Sequence, residues 1–332
     1  MTVMRNLITD VPGLKVGHAE DARLGSGSTA IIFDEAAVAS IDVRGGGPGT
    51  RETALLDPAL TIEAIHAIAI SGGSAFGLDA ASGVQAWLRE QGRGFAIRTA
   101  RVPIVPGAVL FDLLNGGNKD WGRFPPYRDL GYAAAAAAAL NFALGSVGAG
   151  TGATTVNCKG GLGSASAQTP DGCNVGALAA VNAVGSVLVG DGPWFWAAPF
   201  EMDGEFGGRG LPQPFPPHAL APQFKGGTAE STTLVVVATD AILTKAQAKR
   251  LAVMAQSGLS RAIYPVHSPL DGDVLFAAST GRRPLSRGAG ELTNLGALAA
   301  NVVARAVARG VYAADALPLP GAAPSWRDQF GR

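Results

Sequence analysis

Ser231-Thr232-Thr233-Leu234-Val235-Val236-Val237-Ala238-Thr239-Asp240 opens with hydroxyl residues and runs straight into a β-branched apolar strand. Upstream, Phe195 to Ser231 reads as one long linker region, with prolines at 199, 212, 214, 216, 217 and 222. Its Pro- and Gly-rich part, Pro212 to Gly227, reads as exposed. A hydroxyl heading a buried strand after a loose loop is the arrangement expected of an N-terminal nucleophile. In such proteins the chain cuts itself, and the freed amine serves the new terminal Ser or Thr as base. The same residues also read as ordinary strand positions after a turn.

The composition narrows the classes. The 332 residues are enough for a large core, in one domain or two. Charged residues are 16% against about 25% in typical soluble domains, so much surface is expected to be buried in a core or in subunit contacts. An oligomer is expected. The 26 basic and 26 acidic residues balance without a basic run, which argues against a nucleic-acid partner. Cys158 and Cys173 are too few for a disulfide framework and lack a metal-finger spacing. His18, His66, His218 and His267 are scattered, so neither a metal nor another cofactor is expected. Residues 1–20 contain no secretory apolar stretch, and the Ala run 133–139 meets Asn141 too soon to span a bilayer. A cytoplasmic protein without a membrane partner is expected.

Several segments carry candidate structure or chemistry. Ser28 to Phe33 and Ala37 to Val43 read as strands, with Asp34-Glu35 as a hairpin connection. Arg44-Gly45-Gly46-Gly47-Pro48-Gly49-Thr50-Arg51 permits close backbone approach but lacks the Lys-Ser/Thr of a phosphate loop. Ile65 to Ile70 reads as a strand that turns through Ser71-Gly72-Gly73-Ser74 into a helix over Ala75 to Gln91. That turn suits backbone N–H groups meeting an anion or a carbonyl, with Ser74 as a helix cap. The prolines of Val102 to Val109 suggest an edge strand or loop, and Tyr132 to Leu144 an Ala-rich helix. The glycines of 148–154 miss the dinucleotide spacing.

Val175 to Val181 and Gly185 to Val189 read as strands. Asn182, lying between them, is either an oxyanion donor or a turn residue. Thr244 caps a helix with an apolar stripe at Leu251, Met254, Ala255 and Leu259, and Leu292 to Arg309 is a closing amphipathic helix. Asp271-Gly272-Asp273 is usually only a turn, but beside a nucleophile it could orient an ammonium.

Taken together and in this order, these pieces resemble the self-processing DmpA-type aminopeptidases and the related nylon-oligomer hydrolases. The matching segments are Gly13 to His18, Arg44 to Thr53, Ser71 to Leu78, Gly148 to Gly152, Lys159-Gly160-Gly161, Thr232-Thr233-Leu234 and Asp271-Gly272-Asp273. The resemblance implies a four-layer αββα sandwich of the α+β class, of the DmpA and ornithine-acetyltransferase type. It implies a single domain cut between Ser231 and Thr232 into a large chain 1–231 and a small chain 232–332. A homo-oligomer, a tetramer of processed heterodimers, is also implied.

By matching position Thr232 is the nucleophile, and its freed amine the base. Asn182 is the oxyanion donor and Lys159 the family lysine. Asp271 and Asp273 match the acidic pair of the nylon-oligomer hydrolases, where other branches carry a Ser and a Glu. Ser231 stands where Asn or Gly is common, so a cut after Glu230 with Ser231 as nucleophile stays open. The reaction implied is hydrolysis of small peptides or linear amide oligomers through an acyl-enzyme. The other readings are an acyltransferase of the ornithine-acetyltransferase type and an uncut binding or scaffolding protein.

Overall fold

The computed structural model describes residues 4–225, 230–285 and 288–331. Its strands, in chain order, are β1 Leu14–Asp21, β2 Ser26–Val43, β3 Gly49–Arg51, β4 Ala64–Ser71, β5 Phe95–Ile97, β6 Ala100–Val102, β7 Gly107–Val109, β8 Gly161–Gln168, β9 Asn174–Asn182, β10 Thr232–Ala241 and β11 Val274–Arg283. The helices are α1 Ala80–Glu90, α2 Tyr127–Ala136, α3 Lys245–Ala255, α4 Ser257–Ala262, α5 Ala289–Tyr312 and α6 Trp326–Phe330.

Strand β10 is buried from end to end, which explains why its sequence is apolar rather than alternating. It pairs antiparallel with β9 and parallel with β11. The main sheet runs β3-β7-β4-β2-β11-β10-β9-β8, with β1 added on β2, and β5-β6 form a separate ribbon.

Strand periodicity sorts the side chains into layers. Leu234 and Val236 of β10 share a core with Ile31 and Phe33 of β2 and Ile68 of β4. Their neighbours Val235 and Val237 face the other way, against Leu251 of α3 and Val302 of α5. On the far half of the sheet, Ala30, Ile32 and Ala67 pack against Val84 of α1 and Ala134 of α2. Two halves of one sheet therefore face each other across an inner core, with helices on both outsides. This is the expected αββα order, with the long β2 hydrogen-bonded to both β4 and β11 so that the two halves are continuous. Each Val or Leu so buried contributes about 1.5–3 kcal/mol relative to exposure.

Some local expectations are corrected. Asp34-Glu35 does not turn a hairpin: β2 runs through it as one strand, and its register with β4 shifts between Ile32 and Ala37. The irregularity leaves Asp34, Glu35 and Ala36 exposed on the sheet. Val187 and Leu188 are buried, yet 185–189 forms only isolated bridges, Ser186 with Tyr264 and Leu188 with Phe195. The Ala-rich helix starts earlier, at Tyr127 behind Pro125-Pro126, and ends at Ala136. Strand β7 is short but internal, pairing β3 on one side and β4 on the other. The cap at Thr244 is present as a full capping box with Gln247, whereas Ser74 sits at φ 51° and Gly73 takes the cap position. The 195–231 stretch is largely exposed but anchored by buried Phe206 and Ala219; its residues 226–229 lie outside the described residues.

Candidate active site

Thr232 opens β10 directly opposite Asn182, the last residue of β9. Both side chains are buried. The Thr232 hydroxyl donates to the carbonyl oxygen of Ser231 at 2.6 Å. The same carbonyl accepts the Gly272 N–H at 2.8 Å, because Ser231 and Asp271 form a parallel bridge just ahead of the β10–β11 pairing. One peptide carbonyl thus carries a hydroxyl and a backbone donor together. Gly272 has to be glycine here: a Cβ would stand 2.6 Å from Thr232 Oγ1 and 2.8 Å from the Gly47 carbonyl.

The acidic turn is held by the glycine-rich loop that follows β2. The N–H groups of Arg44 and Gly45 donate to the Asp273 carbonyl, and that of Gly47 to the Asp271 carbonyl. A Cβ on Gly45 would lie 2.2 Å from the Asp273 nitrogen. The loop is therefore a bed for the turn.

The two carboxylates face different partners. Asp271 accepts N–H groups from Val184 at 3.2 Å and Ser268 at 3.1 Å. Burial, reinforced by the neighbouring Asp273, pushes its carboxyl up to about 6. Asp273 accepts the Thr233 N–H at 2.7 Å through one oxygen. Its other oxygen accepts the His267 N–H and lies 2.9 Å from His267 Nδ1. Asp273 thus reaches the backbone of the residue after Thr232, and His267 holds it from behind.

Asn182 is fixed at both ends. Its Nδ2 donates to the carbonyls of Glu230 at 2.9 Å and Phe111 at 3.0 Å. Its Oδ1 accepts the Thr154 N–H at 2.9 Å and the Lys225 ammonium at 3.2 Å. In this uncut chain the amide therefore faces the Glu230 carbonyl rather than that of Ser231.

Lys159 lies deeper. Its ammonium donates to the carbonyls of Gly150, Ala153 and Gly160 at 2.8–2.9 Å, and burial pushes it down to about 7. The glycines of 148–152 and Lys159 thus form one loop assembly.

Beside these groups opens a cavity of about 270 Å³, with Phe111, Asp112, Thr154, Lys159, Lys225 and Glu230 on its wall. Thr232 is not on that wall; Asn182 connects the two, since both carbonyls it binds belong to wall residues. Asp112 is fully buried there and accepts the Ser26 hydroxyl at 2.6 Å and the Gly73 N–H at 2.8 Å. Burial raises its carboxyl. The Ser71-Gly72-Gly73-Ser74 turn thus meets a carboxyl group, but an internal one. A Cβ on Gly72 would lie 2.1 Å from Asp112 Oδ2.

Sequence reasoning assigned no role to Lys225, Asp112, His267 or the backbone of Gly272. Lys225 carried a faint signal as a lone lysine in a Pro- and Gly-rich stretch before the hydroxyl cluster. The partners of the others lie far away in the chain, so no local pattern marks them.

The sequence pattern of peptidase family S58 matches residues 6–322. The chain belongs to peptidase family S58. Among its S58 relatives, an uncharacterized aminopeptidase of Mycobacterium tuberculosis is 44% identical over 347 residues, covering 98% of each chain. A 6-aminohexanoate-oligomer endohydrolase of Kocuria sp. is 29% identical over 316 residues, covering 90% of this chain and 84% of the relative. Of solved structures, a Burkholderia sp. β-aminopeptidase superposes with a TM-score of 0.71 at 23% identity, covering 98% of this chain and 92% of that one. The L-aminopeptidase D-Ala-esterase/amidase of Ochrobactrum anthropi, described as a variant of the Ntn-hydrolase fold, also gives 0.71, at 20% identity over 98% and 91% of the two chains. The S58 chain shares that fold.

Proposed function

We propose that this S58 chain is a self-processing amide hydrolase whose nucleophile is Thr232, freed as an N-terminus by cleavage after Ser231. The observation that carries the reading is the Ser231 carbonyl, which holds the Thr232 hydroxyl at 2.6 Å and the Gly272 N–H at 2.8 Å. Thr232 Oγ1 attacks that carbonyl carbon while Gly272 N–H supports the developing oxyanion. The Ser231–Thr232 peptide bond breaks, the nitrogen takes the hydroxyl proton, and an ester joins Ser231 to Thr232 Oγ1. Water hydrolyses the ester, giving a carboxylate on Ser231 and restoring the hydroxyl.

The mature site works on the same atoms. A free α-amine has a reference pKa of about 7.7–8.0, so much of it is neutral near pH 8 and accepts the Thr232 hydroxyl proton. Asp273, on the Thr233 N–H, and Asp271 beside it orient that amine and tune its charge. Once Glu230 and Ser231 withdraw, Asn182 Nδ2 donates to the substrate oxyanion; such a donor is worth about 10²–10³-fold in kcat. Lys159 supports the reaction through the loop carbonyls it binds. The acyl-enzyme on Thr232 then passes to water.

The relatives' names point to small peptides or linear amide oligomers as substrates. The Asp271–Asp273 pair favours the oligomer branch. An assembly of several processed copies fits the ribbon β5-β6, which leaves Phe95, Ile97 and Val102 exposed. No helix among the described residues is long and apolar enough to cross a membrane.

The test is intact mass and N-terminal sequencing of purified, aged protein, beside the Thr232→Ala variant. Two fragments are expected, the smaller beginning at Thr232, and a single uncut band for Thr232→Ala. A single uncut chain in the unmutated protein would sink the reading. One observation favours a second position for the cut. Asn182 Nδ2 sits on the Glu230 carbonyl, and the buried Ser231 hydroxyl has no hydrogen-bond partner among the described residues. A small fragment longer by one serine would assign the nucleophile to Ser231. Measuring released amine with and without an acceptor amine separates hydrolysis from acyl transfer; dominance of transfer would favour the ornithine-acetyltransferase type.

A further inference from the structure

Lys225 belongs to the stretch that leads to the cut, yet it turns inward. Its ammonium lies 2.9 Å from the Thr154 carbonyl, 3.2 Å from the Thr154 hydroxyl, 3.3 Å from the Asn182 carbonyl and 3.2 Å from Asn182 Oδ1. Its own backbone N–H donates to the Val184 carbonyl at 2.9 Å, which ties this stretch to the end of β9. All four side-chain contacts go to the two residues that surround the Asn182 amide. An ammonium is strongly hydrated, and withdrawing one from water is costly unless it meets acceptors. Four oxygens of Thr154 and Asn182 satisfy that demand, and one of them is the acceptor end of the Asn182 amide.

We propose that Lys225 is a positioning residue for the reaction, acting through Asn182. This rests on the roles given above to Thr232 and Asn182. With Thr154 N–H and Lys225 both donating to Oδ1, the amide cannot flip, and both Nδ2 protons point at carbonyls. The positive charge at Oδ1 also draws electron density along the amide, which makes the Nδ2 protons better donors to an oxyanion. Backbone N–H from Thr154 alone fixes the orientation; the charge is what Lys225 adds. Because Lys225 lies before the cut, it stays on the large chain, held by the Val184 and Thr154 contacts.

The charge is titratable. Burial pushes the Lys225 ammonium down to about 7, opposed by Asp271 and Glu230, while Lys159 is the other cation that feels it. A group lowered in this way is charged below about 7 and loses its proton as the pH rises through that value. The Thr232 amine needs the opposite change, so loss of the Lys225 charge gives kcat an alkaline decline. Lys159, also lowered to about 7, titrates on the same wall, and the Lys225→Met variant separates the two.

The experiment compares the unmutated protein with Lys225→Met. Self-cleavage rates and steady-state kcat and KM would be measured from pH 5 to 10 on an amino-acid p-nitroanilide and a 6-aminohexanoate oligomer. The expected result is a kcat lower by about tenfold in Lys225→Met, KM within about threefold, and loss of the alkaline decline. Three results overturn the proposal: an unchanged kcat; a raised KM with kcat intact, which makes Lys225 a substrate contact; or a lower kcat with the alkaline decline preserved, which makes its role one of packing. Should Lys225→Met fail to fold by circular dichroism, Lys225→Gln, which keeps an N–H donor without charge, carries the same expectations. Thr232→Val runs in parallel. Activity in that variant removes the underlying reading, whereas an inert Thr232→Val beside a fully active Lys225→Met removes only this one.

Discussion

Gly272 and Ser231 are 41 positions apart (272 − 231), and the N–H of the first lies 2.8 Å from the carbonyl oxygen of the second. That contact sets the Ser231 carbonyl beneath the Thr232 hydroxyl, and it makes the acidic turn a backbone device as much as a pair of carboxylates. Nothing in the side chain of residue 272 takes part; its lack of one is the requirement.

Replacing Gly272 with Ala should therefore slow cleavage far more than a loop substitution would. The new methyl falls 2.6 Å from Thr232 Oγ1 and 2.8 Å from the Gly47 carbonyl, so the hydroxyl or the turn has to move. We expect self-cleavage slowed by at least about 100-fold, the cost of losing one preorganised donor. Stability should fall by about 1–3 kcal/mol from overpacking. Quantitative gel densitometry over time and urea unfolding read the two effects separately.

Thr232→Val keeps the shape of the side chain and its place at the head of β10 but removes the attacking oxygen. An uncut, folded chain is expected, checked by intact mass and circular dichroism. Thr232→Ser itself should still cleave, because its hydroxyl can take the same place on the Ser231 carbonyl. Cleavage in the valine variant would transfer the nucleophile to Ser231.

The stability of the folded chain should carry a signature of Asp271. Its carboxyl is raised to about 6, against about 3.9 for an unperturbed Asp. The unfolded chain thus releases this proton at a lower pH than the folded one does. The contribution to stability is full below about 4, declines as the pH rises, and is lost above about 6. Asp271→Asn has no such titration, so its stability relative to the unmutated protein should improve between pH 4 and 6 and then level off. Denaturant midpoints at pH 4, 5, 6 and 7 test this; a constant difference would count against a raised carboxyl.

Lys159→Met should unfold more easily than the unmutated protein. It removes the ammonium from three loop carbonyls. Those of Gly150 and Ala153 keep the N–H groups of Ala153 and Gly160, so the cost falls mainly on the Gly160 carbonyl. One buried group left unsatisfied costs about 1–3 kcal/mol. A loss of about 1–3 kcal/mol by chemical denaturation is expected. If kcat falls while stability is untouched, Lys159 acts on the chemistry directly.

Much of this architecture was legible in the sequence where a single element carries its own pattern. The unbroken apolar run after Thr233 marks a buried strand, and Thr244 marks a helix start. Ile65 to Ile70 likewise reads as the strand it is. Asp34-Glu35 failed because a polar pair between two apolar runs reads alike as a turn or as an irregularity, and only pairing with β4 decides. Val187 and Leu188 are buried as apolar residues should be, yet burial alone does not make a ladder. At the candidate site, residue type singled out Thr232, Asn182, Asp271 and Asp273 for attention, while their expected roles came from the resemblance to the DmpA-type aminopeptidases and nylon-oligomer hydrolases. Lys225 was not: its direction is set by Thr154 and Asn182, which lie 71 and 43 positions away. The bed of Gly45 to Gly47 under the acidic turn was likewise hidden, since glycine reports permission for close approach but not what approaches.

The placement of β10 and β11 bears on the order of events in the life of the chain. Both strands lie from Thr232 onward, and they are flanked in the sheet by β9 and β2, which lie before it. The residues around the Ser231 carbonyl come from as far apart as Gly45 and Asp273. They meet only when the sheet has closed. A ribosome-bound or misassembled chain has no means of severing itself, so the cut, where it occurs, acts as a receipt for completed folding. After such a cut the small piece would keep its two strands as a pair inserted between β2 and β9 of the large one, so separating the pieces would mean breaking the sheet on both sides of that pair.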